Sequence, residues 1–169
     1  MFSIEPCPLP EDALLQAYAR NGSYTDCYAA SIAGAVSHEQ YVAAFYTTAV
    51  FKLERLILKW AVSKPSTDAQ ARQLAAGTLD AFAAWRVEQR AVDQLLLCDF
   101  MGRTRSWLMV APLVTDGGPA TRLYFGSAVT PRDGGRSLGF PFGALLGFHQ
   151  LYSRVLLAAA RRRLGSGRA

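Results

Sequence analysis

Along two stretches of the chain, apolar residues return at steps of three and four, the period of a helix with one buried face. In the first, Val42, Phe45, Tyr46, Ala49, Leu53, Leu56, Ile57 and Trp60 share one side, and Lys52, Arg55 and Lys59 share the other. Just ahead, Ser37-His-Glu-Gln40 has the capping-box form, a serine oxygen for the N3 amide and a glutamine able to reach back, so this helix is predicted to begin at His38. At roughly 25 residues it is long for a globular helix, and the β-branched Thr47, Thr48 and Val50 mark where it should kink or break. Ser63-Lys-Pro-Ser66 ends it as a tight link, and Thr67-Asp-Ala-Gln70 repeats the capping box for a short antiparallel helix stopping near Gly77. The second stretch, 139–163, predicts a long terminal helix. There Phe142, Leu145, His149, Tyr152, Leu156 and Ala159 form one buried stripe that holds an imidazole and a phenol.

Between these helices the period falls to two. Trp85, Val87 and Gln89 alternate with Arg86, Glu88 and Arg90, the pattern of a half-buried strand. Residues 95–100 follow as a strand, Met101-Gly102 as a tight turn that uses glycine's freedom at positive φ, and 104–112 as the returning strand. Thr115-Asp-Gly-Gly-Pro119 is a turn cluster before a strand over 121–130, and 131–141 is a long glycine-rich loop, able to act as a lid. Ahead of the helices, 24–35 is short of helix punctuation and β-prone, so it supplies one more strand, for the edge of the meander. Residues 1–10 read as an extended lead and 11–20 as a short helix ended by Asn21-Gly22. The result is an α+β chain of five strands, a two-helix insertion after the first strand, and a terminal helix that must cover the sheet.

Composition narrows the class. With 51% hydrophobic and 18% charged residues in 169, the chain is globular and of single-domain length, and no linker or repeat divides it. Of its net charge of +5, four units come from Arg161, Arg162, Arg163 and Arg168, so residues 1–160 are nearly neutral. The basic pI describes a tail over 161–169, expected to be flexible. A cluster of this kind can attract phosphate or complement the end of a helix, but the body has no matching basic face, so no nucleic-acid partner is expected. Cys7, Cys27 and Cys98 are odd in number and widely spaced, which fits separate thiols in a reducing, cytoplasmic setting better than a disulfide framework. Pro6, Pro8 and Pro10 with Glu5, Glu11 and Asp12 are unlike a signal peptide, and charges at helical spacing argue against a membrane span in 41–62 or 142–160.

Candidate chemistry is sparse. Two histidines and three scattered cysteines offer no metal-ligand spacing, and no motif calls for a cofactor. Phe125-Gly-Ser-Ala-Val129 lacks the second glycine of a nucleophile elbow, which leaves Ser127 a poor nucleophile. No catalytic residue is assigned. His149 reads either as a core histidine with a backbone or tyrosine partner, or as a ligand-facing acid or base, and Tyr152 as packing with its hydroxyl at the rim. Trp85, Trp107 and Tyr124 are either ordinary core or the rigid apolar walls of a ligand site. Arg86, Glu88 and Arg90 are expected to meet Asp99, Arg103 and Arg105 in cross-strand ion pairs, with an anion-binding stripe as the sharper alternative.

The element order, with Tyr24-Thr-Asp-Cys-Tyr28 opening the first strand, Trp85-Arg-Val-Glu-Gln-Arg90 opening the meander and Phe148-His149 on the last helix, resembles the START-like superfamily over residues 23–163. The resemblance, closest to a bacterial branch of unknown function, implies a helix-grip fold. In that fold a curved antiparallel sheet wraps a terminal helix, and a cavity between them holds lipids, polyketides or other apolar molecules. Relatives often have six or seven strands against the five counted here. The expectation is a binding module for a small apolar or amphipathic molecule, with Trp85, Trp107, Tyr124, His149 and Tyr152 around the cavity. The rivals are a cyclase-like or hydrolase-like enzyme using His149, and an interaction protein docking through its basic C-terminus.

Overall fold

The computed structural model describes residues 4–53, 66–130 and 142–167, with 142–149 in backbone only. Seven strands form one open antiparallel sheet in the order β1-β2-β7-β6-β5-β4-β3. They are β1 (Glu5–Pro6), β2 (Tyr24–Ala33), β3 (Ala81–Phe82), β4 (Trp85–Arg90), β5 (Gln94–Asp99), β6 (Thr104–Thr115) and β7 (Gly118–Val129). The helices are α1 (Gln16–Arg20), α2 (His38–Tyr46), α3 (Asp68–Ala75) and α4 (Phe142–Ser166). The count of five strands is corrected to seven among the described residues: β1 and β3 have two residues each, too few to show any periodicity.

The local signals explain the element ends. Ser37 Oγ accepts from Gln40 N at 3.1 Å while Ser37 N donates to Gln40 Oε1 at 3.0 Å, and Thr67 and Gln70 repeat the exchange at the start of α3. The long first helix does break at the threonines. Thr47 Oγ1 donates to Ala43 O at 2.7 Å as the cap of α2, and Thr48 Oγ1 accepts from Phe51 N at 3.2 Å, capping a new helical segment over 49–53. The rest of that helix, with Leu56, Ile57, Trp60 and the link 63–66, lies outside the described residues, as does the loop 131–141. Gly77 and Gly102 both take positive φ, 77° and 73°, where the end of a helix and the β5–β6 turn require it.

The meander β4 to β7 forms as the alternation predicts, and β2 joins its edge by pairing antiparallel along β7 from Tyr24↔Val129 to Ala33↔Ala120. Both sheet faces are covered. On one, α2 and α4 lie over Tyr28, Leu95, Leu97, Leu108, Leu123 and Phe125. On the other, residues of the N-terminal lead, Cys7, Leu9, Ala13, Leu14, Leu15 and Tyr18, pack on Cys27, Leu96, Trp107, Met109 and Ala128. The lead is therefore a strap. Its key is Gln94, 4% exposed, whose Oε1 accepts from Leu14 N and Trp107 Nε1 at 2.9 Å each and whose Nε2 donates to Asp12 O at 3.0 Å.

The basic segment is helical over its first residues: α4 runs through Arg161, Arg162 and Arg163 to Ser166, and Leu164 packs against the main core. The buried line of α4 among the described side chains is Ser153, Leu156, Leu157 and Ala160, one residue round from the anticipated stripe, with Tyr152 and Ala159 at its shoulders. No described helix is long and apolar enough to cross a membrane.

Candidate functional site

Where α2 and α4 meet the sheet, aromatic rings crowd one another. Phe45 lies 4.9 Å from Phe125 and 5.1 Å from Tyr46 between ring centroids; Tyr46 meets Phe51 edge-on at 4.7 Å, and Phe51 stacks on Phe82 at 6.0 Å. Rigid rings cannot fill irregular space completely. Beside them a cavity of about 210 Å³ is left, with walls from Phe45, Phe51, Trp85, Phe125, Tyr152 and Leu156 and with Thr104, Ser106, Ser127 and Ser153 among them. The apolar wall comes from five elements, and the hydroxyls from β6, β7 and α4.

The polar groups around it are already oriented. Ser127 Oγ donates to Asp26 Oδ1 at 2.6 Å and Ser127 N donates to the same oxygen at 3.0 Å. Tyr24 donates to Asp26 Oδ2 at 3.3 Å and accepts from Gln150 Nε2 at 3.3 Å, so this chain of groups ties α4 to β2 and β7. Burial, ahead of the Gln150 and Asp26 contacts, pushes the Tyr24 phenol up, and it stays neutral. The Ser127 hydroxyl proton is thus given to a carboxylate. Ser106 Oγ lies 3.4 Å from Tyr46 Oη. Trp85 Nε1 is shielded from solvent and has no hydrogen-bond partner among the described residues. A buried donor left unpaired costs roughly 1–3 kcal/mol.

Of the residues expected from the sequence, Trp85 and Tyr152 are brought together at this cavity. Trp107 and Tyr124 are not. They alternate onto the opposite face, where Trp107 is fully buried under the strap and its ring lies 6.2 Å from that of Tyr124. His149 belongs to α4, but its side chain lies outside the described residues. Phe45, Phe51, Phe125, Ser106 and Ser153 were not singled out from the sequence. The signal for Phe125 was its register, since Phe125 faces Tyr28 and Leu108 across β7 and so shares the helix-covered face.

The expected charged stripe forms in part, with Glu88 meeting Arg105 as anticipated. The register of β4 against β5 shifts between Val87 and Gln89, a bulge that ends the simple alternation. Glu88 pairs with Arg105 at 3.1 Å and accepts from the Tyr18 hydroxyl of the strap, with the Arg105 guanidinium 4.5 Å above the Tyr18 ring. Arg90 instead donates to Leu74 O at 3.0 Å and Leu79 O at 2.8 Å, holding the end of α3. Asp99 turns back to accept from Arg103 N at 2.6 Å and Thr104 N at 3.1 Å. Arg105 and Arg90 are thus occupied by structural partners. Among the described residues no group of three or more His, Cys, Asp or Glu comes close enough to hold a metal ion. No protein-family model matches the chain, and no curated protein matches it in sequence.

Proposed function

We propose that this chain is a START-like, helix-grip binding module that takes a small apolar or amphipathic molecule between the sheet and α4. The observation that carries the reading is the cavity of about 210 Å³, with five aromatic rings among its walls. An apolar void of roughly 150 Å³ is enough for benzene, and sites for drug-sized ligands begin at roughly 300 Å³, so the occupant is about one substituted ring in size. Supporting the family reading are the element order, the seven-stranded antiparallel sheet and the terminal helix laid across it.

The test is thermal unfolding of the full chain with a set of monocyclic compounds, phenols, cresols, benzoates and indole among them. At least one should raise the melting temperature saturably, because a ligand at a hundred times its dissociation constant adds roughly 2.7 kcal/mol to stability. The gain should vanish in Leu156→Phe, which fills the void. No saturable gain from any compound, or a gain that Leu156→Phe leaves intact, would refute the site.

A further inference from the structure

The strap carries a feature that the widely spaced cysteines did not reveal. Glu5 and Pro6 of β1 face Ala29 and Tyr28 of β2, and the next step of that register sets Cys7 opposite Cys27, with Cys7 N donating to Cys27 O at 3.0 Å. Directly opposed, hydrogen-bonded residues of antiparallel strands have Cα atoms about 5.5 Å apart, inside the span that a disulfide bridges. The two Sγ atoms are 3.3 Å apart as free thiols. We propose that Cys7 and Cys27 are a reversible two-electron redox site, and that its disulfide locks the N-terminal strap onto the sheet.

Their surroundings assign the roles. Cys7 is partly exposed, whereas Cys27 is 5% exposed beneath the strap. Hydrogen bonding from the Cys27 thiol, and next the Arg122 guanidinium, draw the Cys7 thiol below its ordinary range against the opposing effect of burial. The same contact, followed by burial, pushes Cys27 up, so the buried sulfur keeps its proton. Cys7 is then the sulfur that meets the oxidant, which we take to be a hydroperoxide. Its thiolate attacks the terminal peroxide oxygen, the O–O bond breaks, and the alcohol leaves with a proton, giving a sulfenic acid on Cys7. Cys27 sulfur then attacks Cys7 Sγ, the S–O bond breaks, and the hydroxide leaves with the Cys27 proton as water. Two thiols lose two electrons, and one hydroperoxide becomes an alcohol and one water.

Cys98 is an internal control. It sits on β5, three strands from β2 across the order β2-β7-β6-β5, roughly 14 Å away at the usual strand spacing. It cannot reach either partner. The bridge would close the segment that carries Leu9, Leu15 and Tyr18, so the strap could no longer peel from Trp107 without carrying β2 with it.

The experiment uses the reduced full chain with stoichiometric tert-butyl hydroperoxide. Reactive thiols under denaturing conditions should fall from the three present to one, with the loss of two hydrogens in intact mass, a Cys7–Cys27 cross-linked peptide, and full reversal by dithiothreitol. Cys98→Ser should leave the reaction intact, and Cys7→Ser and Cys27→Ser should each abolish the cross-link. Trypsin cleavage after Arg20 should slow roughly tenfold in the oxidised chain, because the closed loop resists local opening. A thiol count that stays at three, a cross-link that includes Cys98, or oxidation that stops at a sulfinic acid on Cys7 would overturn the redox site. A Cys7–Cys27 bond that leaves the cleavage rate unchanged would overturn the lock.

Discussion

The two faces of this sheet are both buried, but they are closed by different means. Under the strap, an amide side chain with three hydrogen bonds fixes the strap backbone at Asp12 and Leu14 and the Trp107 indole, and a Cβ on Gly126 would lie 3.0 Å from both Leu15 and Trp107 and 2.8 Å from Asp26 O. Under α2 and α4 the contacts are mainly between rings, and about 210 Å³ stays open beside them. Hydrogen bonding through one buried amide, with a small residue at the point of closest approach, gives a sealed layer. Stacked and edge-on aromatics with an unpaired indole N–H leave a layer with room for a guest. The sealed face thus holds the sheet in shape, and the open one is where the proposed guest would sit.

Substitutions should separate the faces. The largest effect is expected at Gln94: Gln94→Ala strands Trp107 Nε1, Leu14 N and Asp12 O at once, costing about 3 kcal/mol in urea unfolding. Its counterpart on the open face, Ser106→Ala, loses only a 3.4 Å contact with Tyr46 and should cost less than about 1 kcal/mol. Next is Gly126→Ala, where the added methyl meets a carbonyl oxygen that belongs to the sheet itself and cannot swing away, for about 2 kcal/mol by chemical denaturation. Leu156→Phe, by contrast, grows into vacant space. Its stability should stay within about 1 kcal/mol of the parent chain, whereas Leu15→Phe under the strap should cost about 2 kcal/mol. Similar costs for the two enlargements would remove the distinction between the faces.

The smallest effect concerns pH. Burial first, and then its hydrogen bond to Glu88, raise the Tyr18 phenol from 10.0 to about 12. A group raised on folding adds stability that is complete below its unfolded value and is lost as pH climbs through the folded one. The Tyr18 contribution to strap anchoring should therefore hold to about pH 10 and fade by about pH 12. Tyr18→Phe should flatten that part of the stability profile slightly; an unchanged profile would show that the phenol does not anchor the strap.

Much of this layout is written in local chemistry. Ser37 and Thr67 announce their helices through paired donors and acceptors, Thr47 and Thr48 mark the break, and Gly102 marks the turn, because each acts within a few residues of itself. The strap is harder to read. Its apolar residues Leu9, Leu14, Leu15 and Tyr18 follow no period, and they are interrupted by prolines, so their destination is a tertiary fact. One clue was present: Gln94 to Cys98 is buried at every position, and a strand without alternation is one covered on both faces. That clue would have warned that alternation alone cannot say which aromatics meet the helices. Trp107 and Tyr124 went to the strap for this reason, while Phe125, next in sequence, went to the cavity. Nor did spacing foretell the β4 bulge or the turn of Arg90 to α3.

Crystals of the full chain pressurised with xenon test the central claim most directly, since an apolar void takes up xenon without any need to know the natural occupant. We expect xenon between Trp85, Phe125 and Leu156 and none beneath the strap beside Trp107. Crystals that show side chains filling the space next to Trp85, with no xenon there, would contradict the account.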